Sequence, residues 1–337
     1  MNDAGRRARW VLGFACLLLP VDIAFAQQGE FVTSERLTLG TERLRSASVR
    51  VGDIDGDRDL DVVVASGRHW PQQNQLFINQ GRAKFSILRP LGTDQRTSYA
   101  CEFADFDGDG DLDIATGNDI ARGEIFLNDG GGHFTLHGEY GDVTCLSSLL
   151  AIDLDLDGDV DLIATCRGRP NRIYLNDGQA SFESGSTFGK NTDSTIDVAA
   201  GDLNGDGHLD LVLANRDRQP NEVLLGDGKL RFTRSVTFGS GEDHSRSVAI
   251  ADLNADGNLD WGIANIGSEN QIFVGDGSGG VKKRVEFGSR DSKSYVLAIA
   301  DMNQDKVLDL VVGNLNQPNA VFLRSDNGMS FEEVPFG

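Results

Sequence analysis

Short apolar runs recur along this chain in groups of three, about fifty residues apart, and no helical period follows residue 26. The first run of each group, as in SVRVGD, DVAAGD, SVAIAD and VLAIAD, leads through a polar loop to a second: VVVAS, IATGN, LIATC, LVLAN, WGIAN or LVVGN. A third run follows a variable loop and reads QLFIN, EIFLN, RIYLN, EVLLG, QIFVG or AVFLR. A glycine turn (Asp129 to Gly132, Asp177 and Gly178, Asp227 and Gly228, Asp276 and Gly277) then opens a more polar fourth stretch that usually starts with Phe. Four short strands with tight connections predict an antiparallel meander. Apolar early strands and polar fourth strands fit the buried inner and exposed outer strands of a propeller blade.

The polar loop between the first two runs is the same nine-residue motif each time, at 53–61, 105–113, 153–161, 202–210, 252–260 and 301–309. Its alternate positions carry oxygen. Position 1 is Asp53, Asp105, Asp153, Asp202, Asp252 and Asp301; position 3 is Asp55, Asp107, Asp155, Asn204, Asn254 and Asn303. Position 5 is Asp57, Asp109, Asp157, Asp206, Asp256 and Asp305; position 9 is Asp61, Asp113, Asp161, Asp210, Asp260 and Asp309. Position 7 varies through Asp59, Asp111, Asp159, His208, Asn258 and Val307, so it is expected to offer its backbone carbonyl rather than a side chain. Positions 2 and 8 are apolar in every copy and point into a core. A single Asp-rich turn is commonly a solvated loop, but six in phase would repel strongly without a counter-ion. Hard oxygen donors with no Cys and no recurring His favour calcium, up to six structural ions, over zinc or magnesium. Position 6 is glycine in the four middle copies, where a sharp turn wants a left-handed backbone. Arg58 and Lys306 stand there in the outer copies, which ranks those two sites lower.

The four middle loops match the pattern DxDxDGxxD, or its Asn variants, and the repeating unit resembles the FG-GAP or VCBS-type repeat. That family includes the β-propeller head of integrin α chains and many secreted bacterial repeat proteins. The resemblance spans roughly residues 31 to 337. It implies an all-β radial propeller of four-stranded antiparallel blades, with calcium in the turn between a blade's first and second strands. Six loop motifs predict six blades. Seven candidate outer strands, beginning with Phe31 to Gly40, leave a seven-blade or incomplete seven-blade ring as the rival.

The formal charge of -21 suggests an acidic surface, yet 24 of the 52 acidic residues sit inside the six motifs. The acidity is mostly ligand, and nucleic-acid binding is not expected. Arg6, Arg7 and Arg9 precede the apolar run WVLGFACLLLP, and Ala24-Phe25-Ala26 gives a signal-peptide cleavage pattern. The run is too short to span a bilayer. Residues 1–26 are therefore expected to be a leader and 27–337 a secreted or periplasmic propeller, monomeric and without a membrane span. Of the remaining cysteines, Cys145 and Cys166 fall nearly opposite in the third unit's hairpin and are expected to form a disulfide, leaving Cys101 buried and free.

None of the five His residues lies in a nucleophile or metalloprotease motif, and no phosphate-binding glycine loop is present. Catalysis is not expected. The variable connections between second and third runs lie at the rim opposite the acidic loops and carry Arg68, His69, Trp70, Arg122, Arg167, Arg169, Arg216 and Arg218. Variable loops on a rigid frame are where binding tends to live, and Arg with Trp suits an anionic protein or glycan partner. The expected role is a non-catalytic recognition or adhesion scaffold. The alternative is a polysaccharide-acting enzyme or lectin on the same frame. Asn118, Asn215, Asn265 and Asn314 recur where the second run ends and read as turn-forming side chains.

Overall fold

A computed structural model describes residues 39–40, 44–325 and 328–337, with the backbone alone for Val143, Thr144 and Cys145. Residues 1–26, expected to be a leader, and almost all of the surplus stretch Phe31 to Gly40 lie outside the described residues. The rest is a six-bladed β-propeller whose strands run in chain order and pair antiparallel throughout. Blade 1 is β1 (Ser46–Gly52), β2 (Asp61–Ser66), β3 (Gln75–Ile78) and β4 (Ile87–Pro90). Blades 2 and 3 share a strand. Blade 2 takes β5 (Ser98–Ala104), β6 (Asp113–Asn128) and the first half of β7 (Phe134–Ile152); blade 3 takes the second half, β8 (Asp161–Cys166), β9 (Asn171–Asn176) and β10 (Phe182–Phe188).

Blade 4 comprises β11 (Thr195–Gly201), β12 (Asp210–Asn215), β13 (Asn221–Gly226) and β14 (Phe232–Phe238). Blade 5 comprises β15 (Ser245–Ala251), β16 (Asp260–Asn265), β17 (Asn270–Gly275) and β18 (Val281–Phe287). Blade 6 comprises β19 (Ser294–Ala300), β20 (Asp309–Asn314), β21 (Asn319–Arg324) and β22 (Phe331–Phe336). Six outer strands thus serve six blades, each from its own stretch of chain.

Burial explains the sequence pattern. Every residue of β2, β8, β12 and β16 is buried, because these strands are covered on both faces. Strands β10 and β18 are exposed over most of their length, and the charges of VKKRVEF in β18 keep that open edge from pairing with other chains. The core lies between blades rather than within them. Val63, Leu76 and Leu91 of blade 1 and its β4 end pack on Cys101, Phe103 and Phe126 of blade 2; Val223 and Phe238 of blade 4 pack on Trp261 and Phe273 of blade 5.

A repeated polar latch joins the blades at the rim away from the acidic loops. Asn171 accepts from the Cys166 N–H at 2.9 Å and donates to Thr195 Oγ1 of the next blade at 3.1 Å. Thr195 donates on to Asn215 Oδ1 at 2.9 Å, and Asn215 Nδ2 donates to the Pro220 carbonyl at 2.9 Å. The same relay runs through Asn74, Ser98 and Asn118, through Asn221, Ser245 and Asn265, and through Asn270, Ser294 and Asn314. All these side chains are buried or nearly so, so each donor has found its acceptor inside the protein. The recurrent second-strand asparagines do hold their turns. They also receive a hydrogen bond from the inner strand, itself tied to the preceding blade, which was not foreseen.

Between blades 2 and 3 the latch positions are Gly123 and Leu146, and a different device appears. NDIARG, expected to be a loop, is part of β6, which turns back at Ile120 (φ 52°) and pairs Asp119 with Cys145 and Ala121 with Thr144 of β7. Arg122 accordingly sits on a strand, because the unusually long β7 gives this segment a partner along its edge.

Cys101 is fully buried with Sγ 3.8 Å from Ser48 Oγ, and burial pushes its thiol up to about 11. Leu146 pairs with the buried Cys166, which places Cys145 next to that rung; the Cys145 side chain, and with it the disulfide, lies outside the described residues. Thiol blocking followed by mass spectrometry is expected to find only Cys101 alkylated in the denatured mature chain. Alkylation of both Cys145 and Cys166 would sink the pairing. For the latch, Asn221→Ala is expected to lower the unfolding free energy by about 1–3 kcal/mol, since it leaves buried groups without partners. A loss below about 0.5 kcal/mol in urea denaturation, the scale of a surface substitution, would show that the latch contributes nothing.

Candidate metal centres and the opposite rim

Each acidic loop closes the turn from a blade's first strand to its second, starting beyond rungs such as Gly52 to Asp61 and Ala251 to Asp260. Position 1 organises the turn. Asp105 accepts from Gly108 N at 2.8 Å and from Gly110 N at 3.0 Å, and Asp53, Asp202 and Asp301 repeat the contact with Arg58, Gly207 and Lys306. Position 5 accepts from the N–H of position 7, as Asp109 does from Asp111 at 2.9 Å. Position 9 is buried in all six copies and spends one oxygen on each of two backbone donors. Asp113 takes Phe106 N at 3.0 Å and Asn128 N at 2.9 Å, so it ties the loop to the blade's third strand.

Left-handed backbone occurs at two positions, not one. Position 6 has φ near 74° at Arg58 and 70° at Lys306, so the outer copies adopt the same turn without glycine. Position 4 is left-handed in every copy, including Leu156 (φ 63°), Ala255 (φ 59°) and Gln304 (φ 62°). Gly56, Gly108 and Gly205 were the visible signal for it. Six loops keeping a strained conformation with such varied residues indicates that the carboxylate contacts, rather than local preference, set the shape.

Three loops bring carboxylate oxygens within 4.8 Å of one another: Asp53, Asp55 and Asp57; Asp105, Asp107 and Asp113; Asp153, Asp155 and Asp161. Inside them Asp55 Oδ1, Asp153 Oδ1 and Asp155 Oδ1 are buried with no hydrogen-bond donor. Burial pushes Asp113 and Asp161 up to about 6 against the pull of their backbone donors, with neighbouring aspartates adding to it. Burial and then Asp57 or Asp157 likewise raise Asp55 and Asp155. Orphaned anionic oxygens crowded this closely fit a hard cation, and these groups could hold a metal ion. In loops 4 to 6 the third position is Asn, whose oxygen already accepts from the loop backbone, as Asn254 does from Asp256 N at 2.8 Å. The first loop, ranked low for Arg58, is therefore among the three most carboxylate-rich. Position 7 side chains lie against the third turn: a Cβ on Gly130, Gly178, Gly228 or Gly277 would meet Asp111, Asp159, His208 or Asn258, and Asn258 Nδ2 also donates to Asp256 at 2.9 Å.

The opposite rim gathers some of the predicted binding residues and scatters others. Arg68 lies over the rings of Tyr99 (5.7 Å) and Tyr295 (5.9 Å), bridging blades 1, 2 and 6. Arg167 makes a two-pronged pair with Asp217 (2.8 and 2.9 Å), and Arg216 reaches the same carboxylate at 3.7 Å. His69 touches the Tyr99 hydroxyl and lies 3.4 Å from Asp119; Trp70 is 58% exposed with Arg45 over its ring. Arg122 points to the Gly141 carbonyl and Glu139, Arg218 to Glu242, and Arg169 to solvent, so these three stand apart. The sequence reading missed Arg246, stacked on Tyr295 at 4.2 Å. Its signal was weak: Tyr99, Arg246 and Tyr295 each follow the latch Ser98, Ser245 or Ser294 at the start of an inner strand.

The FG-GAP-like repeat matches residues 53–116, 153–213 and 202–263, more than half of the chain. The chain belongs to the FG-GAP-like repeat family. A search of curated proteins found no match. Among solved structures, that of BBS1N in complex with ARL6DN, soaked with lead, is similar with a TM-score of 0.55 at 11% identity, over 88% of this chain and 82% of that one. At that identity the likeness concerns the fold alone. Among the described residues no helix is long and apolar enough to cross a membrane.

Stripping divalent cations with a chelator is expected to lower the melting temperature, because an ion bound only by the folded loops stabilises by about 2.7 kcal/mol at a hundredfold excess over its Kd. Asp155→Ala, which removes a side-chain oxygen from the loop with two orphaned oxygens, should reduce the number of ions bound in equilibrium dialysis by one. An unchanged melt after complete cation removal would refute a structural metal.

Proposed function

We propose that this FG-GAP-like propeller is an exported, calcium-stabilised, non-catalytic scaffold that recognises a protein or glycan partner on the rim opposite its acidic loops. The fold supports a recognition or adhesion scaffold in general. The observation that carries the finer reading is the division of chemistry between the two rims. Carboxylate clusters with orphaned oxygens occupy one, and arginine with exposed aromatic surface occupies the other. Calcium is favoured at the clusters by the all-oxygen donor set and by a seventh position that accepts any residue. A carboxylate engaged by such an ion is a poor acid or base, which argues against catalysis there. Export is supported by the leader pattern of the first 26 residues and by the millimolar calcium that weak sites find outside cells.

The test uses the calcium-loaded mature chain in two arms, a glycan array and a pull-down from the producing cell's exported proteins. Binding in one arm is expected to fall at least about tenfold in Trp70→Ala, roughly the 1.4 kcal/mol that loss of one stacking or packing contact brings. Binding that Trp70→Ala and an Arg68→Ala second variant leave unchanged would place recognition elsewhere on the molecule.

A further inference from the structure

One group of arginines on this rim is gathered around tyrosine rings with little carboxylate of its own. Arg50 pairs with Glu102, Arg96 with Glu124 and Arg284 with Glu286, as an excess of 52 acidic over 31 basic residues makes easy. Arg68 and Arg246 have no carboxylate within ion-pair distance among the described residues; their close neighbours are the rings of Tyr99 and Tyr295. Arg216 has only Asp217 at 3.7 Å, and that carboxylate is already held by both prongs of Arg167. The Nε–H groups of Arg216 and Arg246 are buried and donate to nothing.

The position of the group follows from which blades it joins. The register slips by one residue between Ser98 and Ala100, between Ser245 and Ser247, and between Ser294 and Val296, so Tyr99, Arg246 and Tyr295 are the bulged residues of β5, β15 and β19. A bulge re-aims a side chain, here at the end of the innermost strand. Arg246 of blade 5 feels the charges of Arg68, Arg167 and Arg216 from blades 1, 3 and 4 and stacks on Tyr295 of blade 6. One side chain can meet all of these only near the centre of the ring.

We infer that the rim carries an oxyanion-binding site at the propeller axis, in which Arg68, Arg216 and Arg246, framed by Tyr99 and Tyr295, receive a carboxylate, sulfate or phosphate group. The guanidinium fork matches the paired oxygens of such groups. Like charges held together and partly desolvated carry a cost that an anion removes: burial lowers Arg246 to about 10, and Arg216, Arg68 and Arg167 push in the same direction. Burial raises Tyr99, which keeps its hydroxyl protonated as a donor at neutral pH. The nearby acids do not fill the site, since Asp217 is engaged by Arg167 and Asp119 faces His69. The biological use of the site rests on the reading of this rim as the recognition face; anion occupancy itself does not. It specifies that the partner offers an anionic group at the axis.

Isothermal titration of the calcium-loaded mature chain with sodium sulfate, methyl phosphate and sodium acetate, each at constant ionic strength made up with chloride, tests the site. Saturable binding of at least one probe is expected, weakened at least tenfold in Arg246→Gln and unchanged in Arg234→Gln, a charge-matched change on the exposed strand β14. Arg68→Gln provides the same test should Arg246→Gln fail to fold, as judged by circular dichroism. Absence of saturable binding, or equal weakening in Arg234→Gln, overturns the site. The three probes separate the chemical sources. Loss of the anion site with Trp70-dependent partner binding intact would sink this inference alone, whereas anion binding without any partner would leave the site and sink the recognition reading.

Discussion

Each blade is organised around one buried carboxylate, the last aspartate of its acidic loop. Both of its oxygens accept backbone N–H groups, one from the second loop residue and one from the end of the third strand, in all six copies. A hydrogen bond to a charged acceptor contributes about 1.5–3 kcal/mol, and an unpaired buried carboxylate would cost more than that. The contact therefore fixes three things together: the turn, the register of the third strand and the depth of the apolar residue at position 2. Ile54, Phe106 and Leu253 are almost fully buried because the N–H beside each is held by this aspartate. The metal-binding capacity of the loop is built outward from that anchor, by adding oxygens that the backbone does not satisfy.

The blade and its loop were legible in the sequence because both repeat. Apolar runs at fixed offsets gave strand order, and the change through His208, Asn258 and Val307 marked position 7 as lending no recurring side chain; the structure sets those of His208 and Asn258 against third-turn glycines. What does not repeat was not legible. The pairing of Asp119 with Cys145 depends on a strand long enough to serve two blades, and no local preference in NDIARG announces that. The latch was half visible. The second-strand asparagines recur in one place, but Asn74, Asn171, Asn221 and Asn270 act across blades, at a distance that no single repeat displays. Arg246 was missed for the same reason, since a residue at the axis acquires its neighbours from other blades.

The axis itself separates the two rims. Arg50 of β1 is bound to Glu102 of β5, and Asp197 of β11 accepts from Ser148 Oγ at 2.7 Å and from Val248 N at 3.0 Å. Arg50 also feels Asp197, which places blades 1, 2 and 4 within reach of one another. Burial raises Glu102 and Asp197, yet each keeps its charge-assisted partners. These paired groups line the middle of the ring with complementary charge, so the unpaired arginines at one mouth stand out against a centre that is electrostatically satisfied.

The distance between the rims then decides how a cation in the loops can influence a ligand at the other end. Seven-residue inner strands at about 3.3 Å per residue separate the rims by roughly 23 Å. The Debye length at physiological salt is about 8 Å, so the direct attraction or repulsion between loop ions and a rim-bound anion is largely screened. Influence has to pass through the frame instead. The position 9 aspartate sets the register of the second and third strands, and those strands end at the latch asparagines, which hold the inner-strand serines next to the bulges that aim Tyr99, Arg246 and Tyr295. If the loops hold ions as proposed, losing one would leave crowded carboxylates to relax by moving apart, and only the strands could carry that movement to the arginine cluster. The proposed cation and anion sites on such a ring would thus be coupled by rigidity rather than by charge. On the proposed function, the acidic loops would serve recognition by holding still the strands on which the rim arginines and tyrosines are mounted.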